Sequence, residues 1–218
     1  MLAPDQEIRV ITDLGSAAIE IFAFLTATFI AVRIILQEIE QKTLYLTLSR
    51  LVSRDSFLIG KYMGLLGLAA VYIILMSLAL GVLLAFKGWN PTGFILALSS
   101  SVFLKLMIVS SAGVLISLVS TSSVSSFIII SFLWATGHFS SEIRHLAATL
   151  SADGLSIAGL ILAGVSYIIP DLAALNCKDT FFTGGFTPND FLKMASYALL
   201  YSSALLLFAS ALFRKKDL

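Results

Sequence analysis

Long apolar runs, each closed by a short polar stretch, dominate the chain. Residues 14–35 form the first, interrupted by Glu20 and Arg33. Residues 62–86 carry no charge, and residues 94–120 carry only Lys105. Residues 124–139 make a shorter run dense in Ile, Phe and Leu, and residues 194–213 make the last. A helix needs about 20 apolar residues to cross about 30 Å of hydrocarbon. These runs therefore predict five membrane-spanning helices. A sixth run, 155–169, is about 15 residues long, contains Gly159 and Gly164, and stops at Pro170. Its length suits a short re-entrant or interfacial helix rather than a crossing.

Composition agrees with the pattern. Of the 218 residues, 58% are hydrophobic and only 12% are charged, against about 25% charged in an average soluble domain. The mean hydropathy is +0.98. A soluble fold of this length has too much surface to cover with so few charges, and a disordered chain is far more polar. Cys177 is the single cysteine, so no disulfide framework exists. The fold class is all-α, a polytopic integral membrane protein with one transmembrane domain over residues 1–218.

Charge sets the expected orientation, because Lys and Arg favour cytoplasmic loops. The loop after the first run holds Lys42, Arg50, Arg54 and Lys61, with Arg33 at its margin, and the C-terminal tail holds Arg214, Lys215 and Lys216. Placing both inside puts eight of the fourteen basic residues in the cytoplasm, against four of the thirteen acids. Both clusters share a side only if an even number of spans separates them, which holds when 155–169 does not cross. The expectation is an outside N-terminus, five spans, an outer region over 140–193 and a cytoplasmic C-terminus. Residues 1–13 lack a basic n-region and an apolar h-region, so they are no signal peptide, and their acids suit an outer loop. Either this is a short tail translocated alone or a helix belongs upstream; the second is the expectation.

The cytoplasmic region 37–61 is the most informative segment. On a helical wheel Thr43, Thr47, Arg50 and Arg54 share one face and Leu44, Leu48, Leu51 and Val52 another. The pattern predicts a helix lying on the inner membrane surface, with its polar stripe toward the cytosol or a partner. A plain basic loop that only fixes topology is the competing reading. Val52-Ser53-Arg54-Asp55 interrupts the pattern, and Ser53 or Asp55 can cap a second helix running into the next span.

The sequence from Glu38 through Glu40 and Thr43 to Arg50, then Val52-Ser53-Arg54, then Leu58-Ile59-Gly60-Lys61, resembles the permease subunits of type-2, exporter-like ABC transporters. In that family a span ends in Glu-x-Glu, a short helix follows, then Pro-Val-Ser-Arg, then Leu-Gly-Lys. Lys42 stands where the family usually has Gly, and Leu51 where it usually has Pro, so the helix is expected to run on through the family's usual break. The resemblance extends in order to Lys105, to Gly137-His138, to Ile169-Pro170-Asp171 and to the basic tail. It implies a coupling helix at about 38–54, with Glu38, Glu40, Thr43, Thr47, Arg50, Ser53, Arg54 and Lys61 meeting a separate ATP-binding subunit. It also implies pairing with a second permease subunit, identical or not, in the plasma membrane of a bacterium or archaeon. The family has six spans, so the first would be missing here, and it has short outer helices where 155–169 lies.

Other candidate chemistry is sparse. Gly60-Lys61 ends like a phosphate-binding loop, but Asp55 stands where the first Gly must be and Tyr62 where Ser or Thr must hold magnesium. If ATP drives this protein, ATP and magnesium belong to another chain, and this one is a transport subunit rather than an enzyme. Nothing points to nucleic acid. Lys105 near mid-span would cost about 3 to 10 kcal/mol unpaired. Glu20 is the only acid within a run, about 9 Å below the outer edge against about 17 Å for Lys105, a marginal gap for a pair. His138, Glu142 and His145 gather near one helix end; Glu142 and His145 have a ligand-like spacing, but lacking a third ligand they read as a polar cluster. Clustered Ser and Thr at 99–101, 110, 111, 117, 120–123, 125 and 126 are expected to bond across helices, and Gly64, Gly67 and Gly81 to let them approach. Trp89 and Trp134 suit an interfacial belt or a core position equally.

The leading expectation is an ATP-driven permease, exporting an unspecified substrate by conformational change. The alternative is an ion-coupled secondary transporter working through Glu20 and Lys105. That reading predicts internal repeats with broken helices, and the chain contains no such repeat.

Overall fold

A computed structural model describes residues 4–40, 53–152, 156–177 and 187–215. Among them every regular element is a helix. Helix α1 spans Pro4–Glu40, α2 Arg54–Phe86, α3 Thr92–Val119, α4 Ser123–His138, α5 Ser140–Ala152 and α6 Ser156–Ile168; after a short 3-10 turn at Ala173–Leu175, α7 spans Pro188–Lys215. Helices α1, α2, α3 and α7 are each long and apolar enough to cross a membrane. Helices α4 and α5, bent by 68° at their junction, pass the same test together, making a possible fifth.

The chain runs back and forth between two ends of the bundle. At one end Lys87 Nζ donates to Glu7 across 2.6 Å, joining the start of α1 to the end of α2. At the other, Arg214 of α7 pairs with Asp55 at the start of α2. The start of α2 and the end of α7 thus lie at the same end, hereafter the Asp55 end; the opposite one is the Glu7 end.

Several helices begin before their apolar runs: α2 at Arg54 and α7 at Pro188, eight and six residues early. The first helix starts at Pro4, ten residues before the apolar run, so residues 4–13 continue the helix instead of forming an outer loop. Proline is favoured at a helix start, where its missing N–H is not needed. Helix α5 was not foreseen, because its Ser, Glu, Arg and His break the apolar pattern. Helix α6 matches the short run. Its 13 residues span about 20 Å, too short to cross, and it folds back against α5.

Ser53 has extended backbone (φ −67°, ψ 147°), and its side chain accepts a hydrogen bond from the Ser56 N–H at 3.2 Å. It caps α2, which runs unbroken to Phe86. The chain is therefore not helical at Ser53, where the sequence offers a cap: the hydroxyl satisfies an amide that has no partner in the first turn. Leu51, through which the preceding helix was expected to run on, lies outside the described residues.

Helix α3 is the centre. Of its most apolar stretch 78% is buried, against 28% for α2 and 22% for α7. It packs on α1, α2, α4 and α7, and Phe94, Leu98, Val102 and Ile108 are buried in the core. Small residues make this position possible. A Cβ at Gly113 would stand 3.0 Å from the Ala31 Cβ, so α1 and α3 approach closely there. Gly64 and Gly67, expected at such approaches, face open space, and Gly81 meets only Ile95 at ordinary contact. Most α3 hydroxyls bond within their own helix: Ser99 to the Ile95 carbonyl, Ser100 to Ala97, Ser111 to Ile108 and Ser117 to Val114. Ser101 instead donates to the Leu175 carbonyl beyond α6, and the buried Ser110 hydroxyl meets no partner among the described residues.

Candidate functional site

Three side chains from three helices meet in the half of the bundle nearer the Glu7 end: Glu20 on α1, Lys105 on α3 and His138, the last residue of α4. Lys105 Nζ donates to Glu20 Oε1 at 2.6 Å. His138 Nε2 lies 2.7 Å from the same oxygen and 3.5 Å from Lys105 Nζ. Lys105 is 3% exposed, Glu20 13% and His138 26%. Counted from the start of each apolar run, Glu20 and Lys105 lie at different depths. Because α1 begins at Pro4, Glu20 lies sixteen residues into its helix and Lys105 thirteen into α3, about 24 Å and 20 Å along their axes. The two residues stand nearly level.

Packing holds His138 in place. Its Nδ1 lies 2.9 Å from the Trp134 carbonyl oxygen, and the two rings sit 4.5 Å apart. Trp134 in turn stacks on Phe24 of α1 at 4.6 Å, a core position rather than an interfacial belt. The neighbouring Gly137 has no room for a side chain: a Cβ there would meet the Pro170 carbonyl oxygen at 2.9 Å. The Leu172 N–H donates to the Gly137 carbonyl at 3.0 Å. The end of α4 is thereby clamped between α1 and the segment that follows α6.

Glu142 and His145, grouped with His138 in the sequence, lie on α5 past the bend. Glu142 accepts from the Ser141 hydroxyl, and His145 is exposed. Among the described residues no three His, Cys, Asp or Glu side chains are arranged to hold a metal ion. Cys177 is buried.

The coupling set is only partly described. Thr43, Thr47 and Arg50 lie outside the described residues. Glu38 and Glu40 fall in the last turn of α1 and Arg54 begins α2, with only their backbone described. Ser53 is the cap of α2, and Lys61 Nζ stands 5.5 Å over the Phe57 ring.

Two polar clusters had no sequence signal, because their members are far apart in the chain. At the Asp55 end, Ser210 donates to Asp55 Oδ1 at 2.6 Å, and Arg214 binds both carboxylate oxygens. Three apolar grooves open at this end, of about 320 Å³ between α2 and α7, about 370 Å³ between α1 and α4, and about 450 Å³ among α3, α4 and α7. At the Glu7 end, Asp171 accepts from the Ser140 hydroxyl at 2.6 Å, from the Ala174 N–H at 3.0 Å and from Arg144. Burial pushes the Asp171 carboxyl up, but those hydrogen bonds and the Arg144 charge outweigh it and hold the group below the usual carboxylate range. The Asp171 N–H also donates to the Tyr197 hydroxyl at 2.8 Å, tying this cluster to α7.

No protein-family model and no curated protein sequence matches the chain.

Proposed function

We propose that this chain is the membrane-spanning permease subunit of an ATP-driven, type-2 ABC transporter working as an exporter. The observation that carries this reading is the stretch from Glu38 to Lys61, whose Glu-x-Glu pair, Val-Ser-Arg and Gly-Lys resemble the family's pattern in order. Two such subunits, alike or different, would pair in a bacterial or archaeal plasma membrane with residues 37–61 and the C-terminus inside. A separate ATP-binding subunit would bind ATP and magnesium and dock on the coupling segment at about 38–54.

The bundle supplies a route for the resulting push. The segment runs into α2 at the Ser53 cap, so displacement there moves a continuous 33-residue helix. Asp55, in its first turn, is bonded to Ser210 and Arg214, so the same displacement pulls on α7. Both α2 and α7 pack on the central α3. The grooves open at the end that receives the push, which suits a bundle that rearranges there between two states of different access.

Charge reversal at Arg50 and Arg54 tests the reading. Loss of co-purification with an ATP-binding subunit, together with at least a tenfold (about 1.4 kcal/mol) weakening of the complex and loss of coupled ATP hydrolysis, is expected. An intact complex with unchanged coupled hydrolysis overturns the coupling role. Transport driven by an ion gradient without ATP would instead support a secondary transporter.

A further inference from the structure

The His138 ring lies between two oxygen atoms. Its Nδ1 faces the Trp134 carbonyl, which has no proton to give, so Nδ1 carries a proton and donates it. Its Nε2 stands 2.7 Å from Glu20 Oε1. A hydrogen bond of that length needs one proton on the axis, carried by the ring or by the carboxyl. Without it, a nitrogen lone pair would face an anionic oxygen. Lys105 Nζ offers the ring a different partner, 3.5 Å from Nε2. Among the described residues, Glu20 from α1 and Lys105 from α3 are the titratable groups that meet the ring.

We propose that Glu20, Lys105 and His138 form one proton-binding site, in which a proton shared between His138 Nε2 and Glu20 Oε1 decides whether the end of α4 is bonded to α1 or to α3. With the proton present, the Nε2–Oε1 hydrogen bond joins α4 to α1. When it leaves, one N–H or O–H bond breaks, the proton passes to water at the exposed edge of His138, and the cluster's charge falls by one. The bare Nε2 then accepts from the Lys105 ammonium, while Glu20 keeps its bond from Lys105. Lys105 is almost fully enclosed, so its ammonium answers the change with a protein partner rather than with water, and the change in proton occupancy becomes a change of helix-to-helix bonding. The Gly137 clamp passes any shift at the end of α4 to the segment carrying Asp171. This inference rests on the cluster alone and not on the permease reading.

The chain has two histidines, so His145→Gln leaves the His138 ring as the sole histidine signal. The experiment records nitrogen NMR spectra of isotope-labelled histidine in the full chain, held in phospholipid nanodiscs, across a pH series. The expected result is that Nε2 passes from protonated to unprotonated as pH rises while Nδ1 stays protonated. Glu20→Gln removes the anion and is expected to move that transition to lower pH. Lys105→Met removes the second partner and a like charge, and is expected to move it to higher pH. A ring whose Nε2 keeps one protonation state over the whole range in which the chain stays folded overturns the proposal. So does loss of the Nδ1 proton in place of Nε2, or a transition that neither variant moves. The first two outcomes are read with Glu20 and Lys105 unaltered, so the test holds even if those variants do not fold.

Discussion

Glu20 takes Lys105 and His138 on one oxygen, and of the three side chains Lys105 is almost fully enclosed. Breaking such a pair from one side leaves a buried charge uncompensated, which costs about 3 to 5 kcal/mol. Lys105→Met is expected to lower the unfolding free energy in detergent micelles by that amount. Glu20→Gln combined with Lys105→Met is expected to cost clearly less than the sum of the single changes; additive costs would mean the two residues do not act on one another. Asp171 makes a different prediction. Its folded pKa is lowered, so its contribution to stability is fully present above the unfolded value of about 3.9 and is lost as pH falls below it. Protection factors of the amides near Ser140 and Ala174, referred to the intrinsic exchange rate at each pH, should therefore fall below about pH 4, and Asp171→Asn should remove that acid dependence. Neither cluster could be assembled from the sequence with certainty. Glu20 and Lys105 are 85 positions apart, and only the true start of α1 puts them at one depth.

At the scale of elements, apolar run length was a good guide to helix existence and a poor guide to helix ends. Residues 4–13 are helical although polar, because α1 projects past the apolar run and pairs Glu7 with Lys87. Helix α5 was hidden for the same reason: a polar helix has no hydropathy signal. The break before α2 was legible, because Ser followed three residues later by an amide to cap is a local device. Ser53→Ala is expected to cost about 1 kcal/mol and to speed amide exchange at Ser56 and Phe57. If exchange there is unchanged, Ser53 is not the cap. The hydroxyl-rich stretch of α3 misled in the opposite direction. Serine in an apolar helix can satisfy itself on the carbonyl three or four residues back, as Ser111 and Ser117 do, so clustered hydroxyls did not imply contacts across helices.

At the scale of the whole molecule, the chain is a helical bundle built around α3, with large apolar side chains turned outward on its neighbours. Leu75 on α2 and Leu207 on α7 are 61% and 72% exposed, while Ile108 on α3 is fully enclosed. In water such surfaces would drive aggregation; in lipid they are the solvent-facing side. Nitroxide labels at Leu75 and Leu207 in liposomes are expected to collide with oxygen dissolved in the hydrocarbon, and a label at Ile108 to be shielded from it. Equal shielding at all three sites would place α2 and α7 inside a larger assembly. The Arg214–Asp55 pair brings the basic tail to the end where α2 begins, the shared end that the charge pattern required.

The sequence by itself determined that the chain is helical and suited to a membrane, and roughly where four of its long helices lie. Those properties depend on apolar length and on local capping, which are written in consecutive residues. The tertiary structure decided which helix is central, where polar groups meet, and that His138 belongs with Glu20 and Lys105 and not with Glu142 and His145. The physical reason is that an isolated charge in an apolar run states only a cost. Which partner offsets that cost depends on helix register, on where each helix starts, and on the few positions, such as Gly113 and Gly137, where one backbone can approach another.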